Sequence, residues 1–115
     1  MPLLRLEMST AVSEEDRAKM LKQLSRLVAE TIGKPEQYVM VTVSHSDLLM
    51  SGQLGKAAFV DLRSIGGLSG EVNRKLTAGI CQILDDVAGI PANAVYVTFM
   101  DVRASHWGWN RATFG

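Results

Sequence analysis

Leu4, Leu6 and Met8 alternate with Arg5 and Glu7, the two-residue period of a strand with one face buried. From Ser13 the period changes. Met20, Leu21, Leu24, Leu27, Val28 and Ile32 recur at three- and four-residue steps, which predicts a helix with one apolar face. Ser13 offers an N-cap, and the acidic residues 14–16 sit in the first turn where the helix dipole favours them. Gly33 followed by Pro35 stops the helix. "YVMVTVS" (38–44) then returns as a strand. The same order recurs further on: Val60 and Leu62 in a strand, then a helix from Ser69 carrying Val72, Leu76, Ile80, Ile83, Leu84 and Val87. A stop at Gly89-Ile90-Pro91 and the strand "AVYVTFM" (94–100) complete it.

An ungapped offset of 56 superposes the two halves: Ser13 falls on Ser69, Glu15 on Glu71, Lys19 on Lys75, Gly33 on Gly89, Pro35 on Pro91, and "VMVT" on "VYVT". Residues that punctuate structure keep their spacing, so each half is one supersecondary unit. The expectation is one domain over residues 1–115 with an internal repeat of about 1–56 and 57–112. Its class is α+β: two pseudo-symmetric βαβ units, strands parallel within each unit, form a four-stranded mixed sheet with both helices on one face. The other sheet face would carry Arg5, Glu7, Thr42, Ser44, Asp61, Arg63 and Thr98. It is too polar for a core and suits a water-lined surface or the interior channel of an oligomer, which favours assembly over a bare monomer.

The tail "DVRASHWGWNRATFG" (101–115) has no counterpart in the first half and no helical period. Three of the seven aromatics, Trp107, Trp109 and Phe114, fall in its last nine residues. Rings on an irregular tail need cover from the core, a neighbouring subunit or a ligand. Charge narrows the partners. Twelve basic residues balance twelve acidic ones, so no field holds a nucleic-acid backbone or an anionic membrane. Apolar runs are far below the ~20 residues of a membrane helix, and the N-terminus lacks a signal-peptide pattern. A cytoplasmic chain is expected, with release without a signal peptide as the alternative. The lone Cys81, among Ile80, Ile83 and Leu84, is expected to be a small buried hydrophobe.

Several motifs carry no chemistry. His45 and His106 have no second ligand at metal spacing, and neither a metal nor a cofactor is expected. "GGLSG" (66–70) lies between a strand and a helix but matches no phosphate-loop pattern, so it is expected to be a tight turn. Glu14–Glu15 and Asp85–Asp86 are adjacent on helices and do not converge on one substrate bond. Lys34 suits the negative end of the helix dipole. Its counterpart in the second repeat is Ile90, so the fold does not require a charge there. Pro2 is equally ambiguous: a strand tolerates proline at its first position, yet trimming of Met1 would leave Pro2 as a free secondary amine.

Met-Pro at the start, "GKPEQYV" (33–39), "SIGGL" (64–68), "NR" (73–74), "VYVTF" (95–99) and "GWNRATFG" (108–115) together resemble the macrophage migration inhibitory factor family of the tautomerase superfamily. The resemblance spans essentially the whole chain. It implies a homotrimer with active sites at subunit interfaces that interconverts keto and enol forms of small aromatic α-keto acids such as phenylpyruvate. It also implies that Met1 is removed and that Pro2 is the general base. An α-amine titrates near ~8, and desolvation or a nearby cation such as Lys34 lowers it, giving a base poised to abstract a proton α to a carbonyl. The resemblance places the substrate carboxylate on Lys34 and the backbone of Ile65. It brings Tyr96 from the adjacent subunit, and walls the aromatic end with Tyr38, Trp109 and Phe114.

There are departures. Thr98 stands where cytokine-type members carry asparagine, and Trp107 where a smaller aliphatic is common, which narrows the pocket mouth. Residues 57–60 read "AAFV", without the CxxC pair behind thiol–disulfide claims in some members, so redox activity is not expected. The alternative class is a cytokine-like signalling protein that binds a receptor, with the tautomerase pocket incidental.

Overall fold

The computed structural model describes residues 1–115. Ten elements follow in chain order: β1 (Pro2–Met8), α1 (Glu14–Ile32), β2 (Met40–His45), β3 (Leu49–Met50), β4 (Gln53–Leu54), β5 (Ala58–Ser64), α2 (Gly70–Ala88), β6 (Val95–Asp101), β7 (Gly108–Trp109) and β8 (Ala112–Thr113). Single turns of 3-10 helix at Glu36–Tyr38 and Ala92–Ala94 delay the second strand of each unit, so these strands start later than the periodicity predicts. Both helices begin as expected. The Ser13 hydroxyl accepts the Asp16 N–H and the Ser69 hydroxyl accepts the Val72 N–H, each at 3.1 Å, satisfying donors that the first turn leaves unpaired. Both end on a left-handed glycine, Gly33 and Gly89.

The main sheet runs β2-β1-β5-β6. Pairing is parallel within each βαβ unit and antiparallel where β1 meets β5, with Leu4 opposite Leu62 and Leu6 opposite Val60. This is the four-stranded mixed sheet with two helices expected from the repeat. Leu4, Leu6, Val60 and Leu62 point at the helices and meet Met20, Leu24, Val28, Leu76, Ile80 and Leu84, all fully buried. Each such side chain contributes about 1.5–3 kcal/mol by leaving water. Gly79 lets the helices approach: a methyl there would lie 2.7 Å from the Leu27 side chain.

The opposite face is banded. One row across the sheet reads Thr42, Arg5, Asp61, Thr98. It holds its own network: Thr98 Oγ1 donates to Asp61 Oδ1 at 3.2 Å, and the Arg63 guanidinium lies 3.4 Å from Asp61 Oδ2. Flanking rows carry Met40, Leu3 and Met100 on one side and Phe59 and Tyr96 on the other. These apolar positions make the face less polar than the seven residues read from the sequence. Cys81 also differs from expectation. It is half-buried, one position off the Ile80–Leu84 stripe, and burial pushes its thiol above the ordinary range.

The two short hairpins are new. β3–β4 turns through Ser51 and Gly52, and β7–β8 through Asn110 and Arg111, with φ of 56°, 71°, 52° and 68°. Two-residue turns with φ positive at both positions match the twist of a hairpin.

Candidate active site

Three segments meet at one end of the sheet: the start of β1, the turn after α1, and the tail. They enclose a cleft of about 540 Å³ lined in part by Met1, Pro2, Tyr38, Trp107, Trp109 and Phe114. Pro2 opens β1 opposite Ser64. Strand alternation gives it the parity of Leu4 and Leu6, and its ring is fully buried. While Met1 is attached, the Pro2 nitrogen is an amide and cannot accept a proton.

The loop 65–69 supplies the donor. Gly66 and Gly67 have φ of 71° and 80°, and a methyl on Gly67 would sit 2.5 Å from Ile32 Cγ2. Only glycine fits that approach in that conformation. The turn is clamped on both sides: Ser64 Oγ donates to the Gly66 carbonyl at 2.7 Å, and Asp101 Oδ1 accepts the Gly66 N–H at 2.9 Å. The Ile65 N–H is thereby presented to the chain start, where it donates to the Met1 carbonyl at 3.3 Å.

Lys34 follows the α1 cap, its N–H donating to the Ala29 carbonyl at 3.1 Å. It does not line the cleft, but its charge reaches it: the amine at Met1 is held below the ordinary α-amine range, by desolvation first and by Lys34 second. A proton acceptor at this end of the chain therefore gives up its proton more readily than one in water.

The aromatic wall is built by the tail. Trp109 stacks on Phe114 with centroids 5.7 Å apart and planes 9° from parallel, and Tyr38 meets Trp109 edge-on at 6.0 Å and 84°. The β7–β8 turn returns the chain so that the Phe114 N–H donates to the Trp107 carbonyl at 3.2 Å. Trp107, half-buried, stands in the same wall. The rings expected to need cover thus cover one another in part, and Trp109 remains 55% exposed.

The structure does not bring every expected residue together within one chain. Tyr96 is 65% exposed and, with Thr98, lies on the open sheet face. Asp101, which fixes the Ile65 turn, was not singled out by the sequence, because its partner is 35 residues away. Gln37, Val39 and Met40 join the lining through the turn after α1. A hollow of about 590 Å³ on the outer side of α2, with Asn73, Arg74 and Cys81, is slightly larger. It lacks the aromatic wall, and burial opposes ionisation of its one thiol. No group of three or more His, Cys, Asp or Glu converges anywhere, and no helix is long and apolar enough to cross a membrane.

The geometry has close parallels. A macrophage migration inhibitory factor homologue of Trichuris trichiura is 40% identical over 103 residues, 89% of this chain and 90% of the relative. The rat macrophage migration inhibitory factor is 36% identical over 82% of this chain and 83% of its own length. Among solved structures, a macrophage migration inhibitory factor-like protein of Entamoeba histolytica superposes with a TM-score of 0.95 at 30% identity over 98% of both chains. The homologue from Prochlorococcus marinus does so at 0.93 and 34%, over 98% of this chain and 99% of its own. The sequence profile of the family described as macrophage migration inhibitory factor (MIF) matches residues 1–115, and the chain therefore belongs to that family.

Proposed function

We propose that this protein is a tautomerase of phenylpyruvate-type α-keto acids, with Pro2, freed of Met1, as its general base. The observation that carries the proposal is one cleft in which the chain start meets a wall of Tyr38, Trp107, Trp109 and Phe114, with the Ile65 N–H bonded to the Met1 carbonyl beside it. The carboxylate would lie on Lys34 and the Ile65 N–H, and the aryl group against the rings. The Pro2 nitrogen would take a proton from the carbon α to the ketone; the C–H electrons would form the new C=C bond as the C=O π pair moves onto oxygen, which would then take the proton back from the Pro2 ammonium. The reverse sequence ketonises the enol. A low-pKa amine suits both directions near neutral pH.

The site is completed by assembly. Tyr96 and Thr98 cannot reach Pro2 of their own chain from the open face, so a neighbouring copy would bring Tyr96 to it, with Thr98 beside. A homotrimer with its open faces around a central channel meets this need and covers Met40, Tyr96 and Met100.

The test is kinetic. Protein whose intact mass shows loss of Met1 should ketonise phenylenolpyruvate, and Met1-retaining protein should be nearly inert. Equal activity of the two forms would exclude Pro2 as the base. A second reading follows from the relatives, whose name describes an action on macrophages: a cytokine-like, receptor-binding protein with an incidental pocket. Pro2→Gly separates them, abolishing turnover in an enzyme and sparing partner binding in a signalling protein.

A further inference from the structure

Pro2 on β1, Ser64 on β5 and Asp101 on β6 occupy one row across the sheet, so their side chains leave on the same, helix-bearing face. Asp101 shares the parity of Val95, Val97 and Phe99, which pack against the core, and it ends the row about 10 Å from Pro2, two strand spacings away. At that distance it does not touch a substrate on Pro2. What it touches is the loop: Asp101 Oδ1 accepts the Gly66 N–H at 2.9 Å, and the next residue, Val102, donates its N–H to the Ser64 carbonyl at 2.9 Å. With the Gly66 N–H committed to Asp101, the adjacent Ile65 N–H is left to face the chain start, where it bonds the Met1 carbonyl at 3.3 Å. Removal of Met1 takes that acceptor away and frees the N–H. The internal repeat shows that the fold does not demand such a clamp. The offset of 56 maps Asp101 on His45, Gly66 on Thr10 and Pro2 on Ala58. There a ring reaches the turn instead of a carboxylate, with His45 Nε2 3.1 Å from the Ser9 carbonyl, and Ala58, inside the chain, carries no free amine.

We infer that Asp101 is a positioning residue for the proposed reaction: by holding the Gly66 N–H it aims the neighbouring Ile65 N–H at the substrate carboxylate. The inference rests on the tautomerase reading of the cleft. Without the Asp101 oxygen the Gly66 N–H turns to another acceptor, the Ile65 donor loses its direction, and Lys34 holds the carboxylate alone. The carboxylate is bound alike before and during proton transfer, so the loss falls on KM and spares kcat.

The experiment compares Asp101→Ala with Asp101→Asn, which keeps an oxygen acceptor for the Gly66 N–H, in Met1-free protein. Asp101 is exposed, so both variants should fold. Three quantities are measured: KM and kcat for phenylenolpyruvate, the Kd of 3-phenylpropionate as an aryl monocarboxylate that cannot enolise to a keto acid, and hydrogen exchange of the Ile65 and Gly66 amides by NMR. Asp101→Ala should raise KM and the probe's Kd together by roughly five- to tenfold, leave kcat nearly unchanged and speed exchange at Gly66. Asp101→Asn should return all of these close to the wild-type values. An Asp101→Ala protein with unchanged KM and Kd, or an Asn variant as impaired as the Ala variant, overturns the inference. Wild-type protein that binds the probe but turns over no phenylenolpyruvate refutes the tautomerase reading, and the probe affinities of the variants then decide whether Asp101 orients a carboxylate donor. Wild-type protein that neither binds the probe nor turns over the substrate overturns both.

Discussion

At the scale of single residues, the chain end is governed by two unfavourable conditions for a positive charge: desolvation and the nearness of Lys34. Both favour the neutral amine, so the activity of Met1-free protein should rise with pH through one ionisation below the ~8 of an ordinary α-amine and then level off. Lys34→Ala removes the second condition. The apparent pKa of the base should then move up, because an isolated ammonium is easier to form, and KM for phenylenolpyruvate should rise as carboxylate binding weakens. A downward shift in the pH–rate profile would show that Lys34 does not act on the base. Pro2→Ala keeps an amine but loses the ring that fills the buried position, so it should lose a large part of kcat while retaining the fold by circular dichroism.

Among the elements, the loop between β5 and α2 has the least tolerance, since it must present the Ile65 N–H while passing Ile32. Gly67→Ala places a methyl 2.5 Å from Ile32 Cγ2 at a φ of 80°, combining left-handed strain with overpacking. We expect a loss of about 2–4 kcal/mol in denaturant unfolding and reduced turnover. Gly33→Ala is the control: its φ is also 80°, but nothing lies within 4 Å of the added methyl. It should lose only about 1–2 kcal/mol, the conformational part. Equal losses in the two variants would mean that the Ile32 approach carries no cost. The glycines of this loop and the serines before both helices were legible in the sequence because their work is local: a cap or a turn is made within three or four residues of chain. The clamp by Asp101 was not, since nothing near Asp101 in sequence distinguishes it from a solvated carboxylate.

For the whole molecule, the open sheet face decides the behaviour. Its central row is polar and internally hydrogen-bonded, whereas Met40, Tyr96 and Met100 are 65%, 65% and 49% exposed. Such a mixed face suits an interface around water better than free solvent. Sedimentation should give a mass of three chains at micromolar concentration. A stable monomer would remove both the trimer and the shared site. Substrate choice belongs to this scale too, because the cleft draws on three distant segments. One cation, Lys34, and four aromatic walls should favour an aryl monocarboxylate over an aliphatic dicarboxylate, and faster turnover of a dicarboxylic enol than of phenylenolpyruvate would contradict the assignment of the cleft.

The amino-acid sequence by itself determined the two βαβ units, their caps and their offset of 56, because apolar period and helix punctuation are properties of neighbouring residues. It also marked Pro2, Lys34, Tyr38 and the tail aromatics as candidates. Tertiary structure alone decided that β1 and β5 pair antiparallel, that Trp109 stacks on Phe114 and meets Tyr38, and that Thr98 is bound by Asp61 instead of reaching toward the Pro2 of its own chain. It also left Cys81 half-buried and Thr10 enclosed without a partner. Each of these depends on contacts between segments far apart in the chain, whose distance and orientation no local pattern encodes.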